Sequence, residues 1–261
     1  NAMIALVCGD AIVWKPSEKV PLCSVACQNI FQKVLQENDV PEGVVNLING
    51  DYRVGEFMTK DGRVPLVSAT GSIRMGRIVG AEVAKRLGKT ILELGGNNGI
   101  IITPEADMKL VLTGAVFGAV GTAGQRCTST RRLIIHESIY DEVRDRLVNA
   151  YQQVRIGNPL DERNHMGPLI DIDAVELYTK ALNAIKKEGG KFAVEGGVLE
   201  GEGYESGCYV KPCIAEMTPD MEMVQTETFA HILYLMKYPD LEEAVAIHNG
   251  VPPGLCSCNV T

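Results

Sequence analysis

The first third of the chain alternates short apolar runs with stretches whose apolar residues recur every three to four positions. "AIVWK" (Ala11–Lys15) is a β-rich run that ends at Pro16. Over Val20–Asn38 the period through Val25, Ile30, Val34 and Leu35 predicts a helix. "VVNLI" (Val44–Ile48) predicts a second strand closed by Asn49-Gly50, residues 52–60 a short helix, and "VPLVSAT" (Val64–Thr70) a third strand. A helix is expected from Gly71-Ser72 to about Leu87, then a fourth strand, "TILEL" (Thr90–Leu94). Beyond Gly95-Gly96 the texture changes. "GIIIT" (Gly99–Thr103) reads as a strand, Ala106–Val120 as a helix rich in small residues, and "RRLIIH" (Arg131–His136) as another strand. Ser138–Gln153 has a helical pattern in which Ser138 can cap, with Asp141 and Glu142 in the first turn.

Strands alternating with helices at this rhythm imply an α/β fold with a parallel sheet built from βαβ units. In such sheets ligands bind beyond the carboxyl ends of the strands. The unusual residues sit at those ends: Lys15 and Glu18 after the first strand, Gly50 and Gly55 after the second, Gly71-Ser72 after the third, and Glu93 in the fourth. That pattern points to a nucleotide-type ligand. The change of texture places a domain boundary near Gly95-Gly96, giving domains over residues 1–95 and 96–261. There is no internal repeat and no low-complexity tract.

Composition narrows the partners. Of 261 residues, 46% are apolar and 22% charged, with a formal net charge of −8 and no acidic or basic block. Neither nucleic acid nor an anionic membrane surface is therefore an implied partner. The apolar runs are too short or too broken by glycine to span a bilayer. Eight cysteines include no C-x-x-C pair, and none of the four histidines pairs with a cysteine at ligand spacing. No metal site is expected, and the scattered thiols read as reduced residues of a cytoplasmic protein. Asn1-Ala2, ahead of Met3, reads as a cleavage scar, and no secretory signal follows.

Four stretches could carry chemistry. In "GAVGTAGQRCTSTRR" (Gly118–Arg132) one cysteine, Cys127, lies within five residues of Arg126, Arg131 and Arg132. A thiol near fixed positive charge ionises more readily, and the thiolate is the nucleophile. The plainer alternative is that Cys127 is one thiol among eight. "TGSIRMG" (Thr70–Gly76) follows a strand and opens a helix, so its free N–H groups could hold an anion, or could simply be capped by Ser72. In "WKPSE" (Trp14–Glu18), Lys15 and Glu18 could hydrogen-bond two ribose hydroxyls, the carboxylate disfavouring a 2′-phosphate, or could form a solvated turn. In "LELGGNN" (Leu92–Asn98), Glu93 ends an apolar strand. A carboxyl in low-dielectric surroundings has its pKa raised, which suits a general base, although a buried structural glutamate fits as well.

"WKPSE", "TGSIRMG", "LELGGNN", "GQRCT" and "ETFAHILY" (Glu227–Tyr234) follow the order and approximate spacing of the aldehyde dehydrogenase superfamily. The chain resembles that family from Met3 to Thr261. The Asn97-Asn98 pair and "GTAGQRCTSTRRLIIHESIYDEV" are most similar to its α-aminoadipic semialdehyde branch. The resemblance implies part of a Rossmann-type parallel-sheet NAD domain joined to an α/β catalytic domain. It matches Cys127 to the nucleophile and Glu93 to the general base. Lys15 and Glu18 match the pair on the adenosine ribose, and Gly71 and Ser72 the pyrophosphate turn. Glu227 and Phe229 match residues at the nicotinamide ribose and ring, and Gly50, Gly55, Gly76 and Leu94 complete the implied NAD-binding set. Arg126 and Thr128 inherit contact with the carboxylate-bearing end of the substrate, while Arg131 and Arg132 begin a strand and serve structure.

The implied activity is NAD-dependent oxidation of a small aldehyde through a Cys127 thiohemiacetal and thioester, in a parent that forms a homotetramer. There are departures. Family chains are close to twice this length. The segment with the oxyanion-hole asparagine, the sheet strands before it, the C-terminal residues of the substrate pocket and the oligomerisation strands are expected to be missing. His231 stands where the family usually has proline, and Cys256 and Cys258 lie in a usually serine-rich stretch. An inactive truncated fragment that acts by association is thus a second expectation, and a thiol hydrolase using Cys127 and Glu93 a third.

Overall fold

The structure, a computed structural model, describes residues 1–252 and 254–261. The chain divides into two compact units, Asn1–Leu94 and Gly95–Thr261.

In the first unit, α1 (Ala2–Val7) precedes β1 (Ile12–Trp14), α2 (Pro21–Glu37), β2 (Val45–Leu47), α3 (Tyr52–Lys60), β3 (Leu66–Thr70), α4 (Ile73–Lys85) and β4 (Lys89–Glu93). Local chemistry fixes the helix ends. Proline opens α2, where its missing N–H costs nothing. The Asp51 carboxylate accepts from the Arg53 N–H ahead of α3, and Ser72 Oγ accepts from the Met75 N–H ahead of α4. Asn1 and Ala2 take part in the local structure. Ala2 is the first helical residue, the Asn1 carbonyl accepts from Ala5 N at 3.0 Å, and the Asn1 amide donates to Ser68 Oγ at 2.7 Å. The strands are parallel, as their connecting helices require, but they form two separate pairs, β1 with β2 and β3 with β4, in place of one continuous sheet. Among the described residues, few apolar side chains of this unit are buried, Val45 and Val83 among them.

The second unit begins with β5 (Gly99–Ile102), α5 (Met108–Val120) and β6 (Arg132–His136). Then follow α6 (Tyr140–Gln152), α7 (Ile172–Glu188), β7 (Lys191–Val194), β8 (Gly197–Val198), β9 (Val210–Lys211), β10 (Cys213–Glu216), α8 (Glu222–Gln225), β11 (Ile232–Tyr238), α9 (Leu241–Asn249) and β12 (Ser257–Val260). Six strands make one sheet in the order β12-β5-β6-β11-β10-β7, parallel except where β7 meets β10. The two apolar runs that cannot face water on either side, β6 and β11, take the middle of it. Leu133, Ile134, Ile135, Leu233 and Leu235 are fully buried there. Along α6, Tyr140, Val143, Leu147 and Tyr151 form the buried stripe, and in α7 Val175, Tyr178, Leu182 and Ile185 do the same. Ser138 does not cap α6. Its hydroxyl pairs with His136 Nδ1 at 2.7 Å, and the capping position falls to Ile139. No helix among the described residues is long and apolar enough to cross a membrane.

Candidate active site

In the first unit, the residues singled out at the strand ends gather in two places. Beyond β1, Lys15 Nζ meets Glu18 Oε2 at 3.0 Å, with the lysine side chain largely covered and the carboxylate half exposed. Glu18's own backbone N–H, and then Lys15, hold its carboxyl below the ordinary value. Gly55 faces the Lys15 stem: a Cβ there would lie 4.0 Å from Lys15 Cδ. Gly50, Asp51, Arg53, Val54 and Phe57 line an open cleft of about 430 Å³ beyond β2.

The second gathering lies beyond β3. Gly71 N donates to the Glu93 carbonyl at 3.0 Å, tying the β3 end to that of β4. Gly76 allows α4 to settle on the strand that follows it, since a Cβ there would come within 2.5 Å of both Leu94 methyls. Gly71, Ser72, Gly76 and Leu94 are therefore one local structure. Glu93 departs from expectation. It ends an exposed strand and is itself exposed, so the low-dielectric setting expected of it is absent. The run "TILEL" suggests burial on both faces, but β4 pairs with a single neighbour and leaves Ile91 half exposed.

In the second unit, Cys127 lies exposed on the turn between α5 and β6, with Thr128 exposed beside it. The approach to that turn is unusual. Thr122, Ala123 and Gly124 all adopt left-handed backbone, with φ of +56°, +53° and +68°, a conformation that costs a non-glycine residue about 1–2 kcal/mol. Surrounding contacts hold it in place. His231, fully buried, puts Nδ1 2.9 Å from the Ala123 carbonyl and Nε2 3.1 Å from that of Val210. Gly124 presses on the backbone at Ala230 and His231, where a Cβ would lie 2.4 Å from main-chain atoms.

The three arginines divide their work in a way that spacing along the chain does not show. Arg126 turns back, its Nε donating to Thr122 Oγ1 at 2.8 Å and its guanidinium lying 5.1 Å from the Phe117 ring centroid. Arg132 is buried and donates to the carbonyls of Asn97, Ile247 and His248, so its role is structural. Arg131 is the cation at the centre. Its Nη1 donates to the Gly124 and Ala230 carbonyls at 3.1 and 3.0 Å, and its Nη2 to the Arg126 carbonyl at 3.3 Å. Burial pushes its pKa down, while the Glu227 carboxylate and a Cys127 thiolate oppose that shift.

Glu227 and Phe229 join Cys127 in this group through Arg131. Glu227 Oε1 is 3.5 Å from Arg131 Nη2 and accepts from Gly96 N at 3.1 Å. Its carboxylate fills the place where a side chain on Gly95 would begin. The Phe229 ring lies under the Arg131 guanidinium at 5.3 Å. Two further residues complete the arrangement. Asn98 donates from its amide to the Cys127 carbonyl at 2.7 Å, and His231 holds the approach. In the sequence Asn98 stands out only through the resemblance, and His231 only as a departure from it.

The aldehyde dehydrogenase family model matches residues 1–261. The chain belongs to the aldehyde dehydrogenase family. It is 45% identical over 258 residues to the α-aminoadipic semialdehyde dehydrogenase of Bos taurus, covering 98% of this chain and 47% of that protein. Among solved structures, lactaldehyde dehydrogenase from Escherichia coli superposes with a TM-score of 0.92 at 34% identity, over 100% of this chain and 54% of that one. Betaine aldehyde dehydrogenase from Staphylococcus aureus, solved in complex with NAD+, gives 0.90 at 28% identity, over 96% of this chain and 50% of that one. The chain thus spans about half the length of the curated relatives it matches.

Proposed function

We propose that this chain carries the nucleophile and much of the cofactor site of an NAD-dependent aldehyde dehydrogenase whose substrate has a distal carboxylate, of the α-aminoadipic semialdehyde class. The observation that supports it most is Cys127. It is exposed on a turn whose flanks are locked by buried polar side chains, within the field of the Arg131 cation. The thiolate adds to the aldehyde carbon to give a thiohemiacetal, and loss of its hydride to NAD and of its hydroxyl proton would leave a thioester. Water, with Glu93 proposed as its base, hydrolyses that thioester to release the acid and return the thiol.

The residues of the first unit fit NAD. Glu18, held ionised, is an acceptor for ribose hydroxyls, and Lys15 beside it a donor. The start of α4, with Gly71 and the Ser72 cap, offers N–H groups and the positive helix end to a pyrophosphate. In the second unit Glu227 and Phe229 are the residues for the nicotinamide end. When bound, NAD supplies the hydride acceptor, and the protein supplies position and charge. Arg126 and Thr128, flanking the nucleophile, are assigned to the substrate's carboxylate. For Arg126 this means exchanging the Thr122 contact for a two-pronged one.

Reactivity toward iodoacetamide, mapped over all eight cysteines, tests this reading. Cys127 is expected to react roughly tenfold or more faster than the exposed Cys8, Cys23 and Cys256. α-Aminoadipic semialdehyde is expected to protect it better than hexanal does, and Arg126→Ala to erase that preference. Cys127 reacting no faster than Cys8 would remove the nucleophile from the proposal. A second reading, that this chain by itself does not turn over, is favoured by the first unit's exposed apolar side chains, among them Leu22, Ile30, Phe57 and Ile78. It expects self-association in light scattering and no NADH formation from NAD and aldehyde, and sustained turnover by a monomer would end it.

A further inference from the structure

We propose that Asn98 is the positioning residue for Cys127, and that it ties the reactive turn to the segment entering β12. The proposal rests on the reading of Cys127 as the nucleophile. Asn98 is almost fully buried. Its Nδ2 donates to the carbonyl of Cys127 itself at 2.7 Å and to that of Ser129 at 3.0 Å. Its Oδ1 accepts from Leu255 N at 3.2 Å and from Cys256 N at 2.8 Å. An asparagine amide has two hydrogens and two acceptor sites, and all four are used. Only one orientation of the amide satisfies them, because carbonyls lie on one side and N–H groups on the other.

The main chain of Asn98 adds a second grip. Its carbonyl accepts from Arg131 N at 3.1 Å and Arg132 N at 3.0 Å. One residue thus holds the turn at Cys127 and Ser129 by its side chain, and the start of β6 by its backbone. Gly96 makes the reach to the third segment possible: a Cβ there would stand 2.7 Å from Leu255 N and 3.0 Å from Asn98 Oδ1. The neighbouring Asn97 does different work. Its amide donates to the Val224 carbonyl, and its Oδ1 is buried without a hydrogen-bond partner. The clamp on the nucleophile therefore belongs to the second asparagine of the pair.

Fixing the Cys127 carbonyl fixes the peptide plane from which the thiol projects. That sets the thiol's direction relative to Arg131 with no contact between Asn98 and the sulfur. The consequence is separable into two halves. Asn98→Asp keeps the shape and the oxygen that accepts from Leu255 and Cys256. It loses both donors toward the turn and sets a carboxylate against two carbonyls and near the thiolate. Asn98→Ala loses both halves.

The experiment measures the rate of iodoacetamide alkylation at each cysteine against pH, with amide hydrogen exchange over residues 254–258. In Asn98→Asp, Cys127 is expected to slow roughly tenfold at pH 8, with its pH–rate profile moved to higher pH. Cys8 and Cys23 should stay within about twofold, and the Leu255 and Cys256 amides should stay protected. In Asn98→Ala those two amides should lose protection as well. An unchanged Cys127 profile in Asn98→Asp would overturn the proposal, and so would a change shared by every cysteine, which would mean general loosening. If neither variant folds, the unmutated chain decides. Carbamidomethylation of Cys127 is then expected to alter exchange at Leu255 and Cys256 severalfold, and no alteration refutes the link. Failure of the nucleophile assignment would show differently, as a Cys127 that is ordinary among the eight in the unmutated chain.

Discussion

The two units of this chain differ more in how they bury their apolar residues than in the elements they contain. Both are strand–helix alternations with parallel pairing. In the second, β6 and β11 lie between other strands of a six-stranded sheet, and their side chains are sealed. In the first, each strand has a single partner, and Val13, Leu66 and Ile91 stay 40–50% exposed, at 48%, 41% and 48%. A strand becomes a core strand only when both its edges and both its faces are covered. The same apolar run is therefore stabilising in one unit and a liability in the other.

Core truncation should show the contrast most strongly. Leu235, fully buried in β11, is expected to cost about 2–5 kcal/mol on truncation to alanine. Ile91→Ala in β4 should cost less than about 1 kcal/mol. Trp14, the single tryptophan, lies in β1, so its fluorescence follows urea unfolding of the first unit, while exchange of β11 amides follows the second. Equal costs at the two positions would erase the distinction drawn from burial.

Glycines sharpen the contrast at the proposed sites. At Gly124, positive φ and main-chain atoms 2.4 Å from an added Cβ leave no escape, so Gly124→Ala should cost more than about 2 kcal/mol and disturb Cys127 alkylation. At Gly71 the obstructing atom is the Met75 terminal methyl, which can swing aside, so Gly71→Ala should cost under about 1 kcal/mol. A reversed order in thermal unfolding would contradict the account of both turns.

The smallest effect is on pH. Burial lowers the His231 pKa, so the unfolded chain binds a proton there at a higher pH than the folded one does. His231 therefore stabilises the second unit fully above its ordinary value of 6.5, and this contribution falls as pH drops through the lowered folded value. Glu18, with a depressed carboxyl, acts on the first unit in a more acidic window, below the usual carboxylate range. Exchange of β11 amides should loosen from about pH 6.5 downward, and His231→Gln should flatten that slope. A slope that survives the substitution would assign the effect to another group.

Much of the fold was legible because its signals are local. Residues 52–60 form the expected helix, and every strand expected before Asn98 is present within one or two residues of its place. The first unit's single sheet was not foreseeable in its divided form, since pairing depends on what lies between strands and not on the strands themselves. Cys127 stood out through nearby charge. The direction of that charge did not, because Arg126 answers to Phe117 and Thr122 while Arg131 answers to Glu227. The exposure of Glu93 has the same cause as that of β4: apolar neighbours in sequence are not a dielectric until something packs on them. Asn98 has partners 29 and 157 residues away, and no periodicity reports such distances.

That long reach has a consequence in time. Closing a link over 157 residues is slow compared with forming a helix or a turn. During synthesis, residues 127–132 leave the ribosome and can form their turn well before Leu255 and Cys256 exist. Until those two amides arrive, Asn98 has only half its partners, and the thiol beside it is held by an unfinished clamp. The full set of hydrogen bonds at Asn98, and with it the hold on the Cys127 carbonyl, is therefore complete only after residues 255 and 256 have been made.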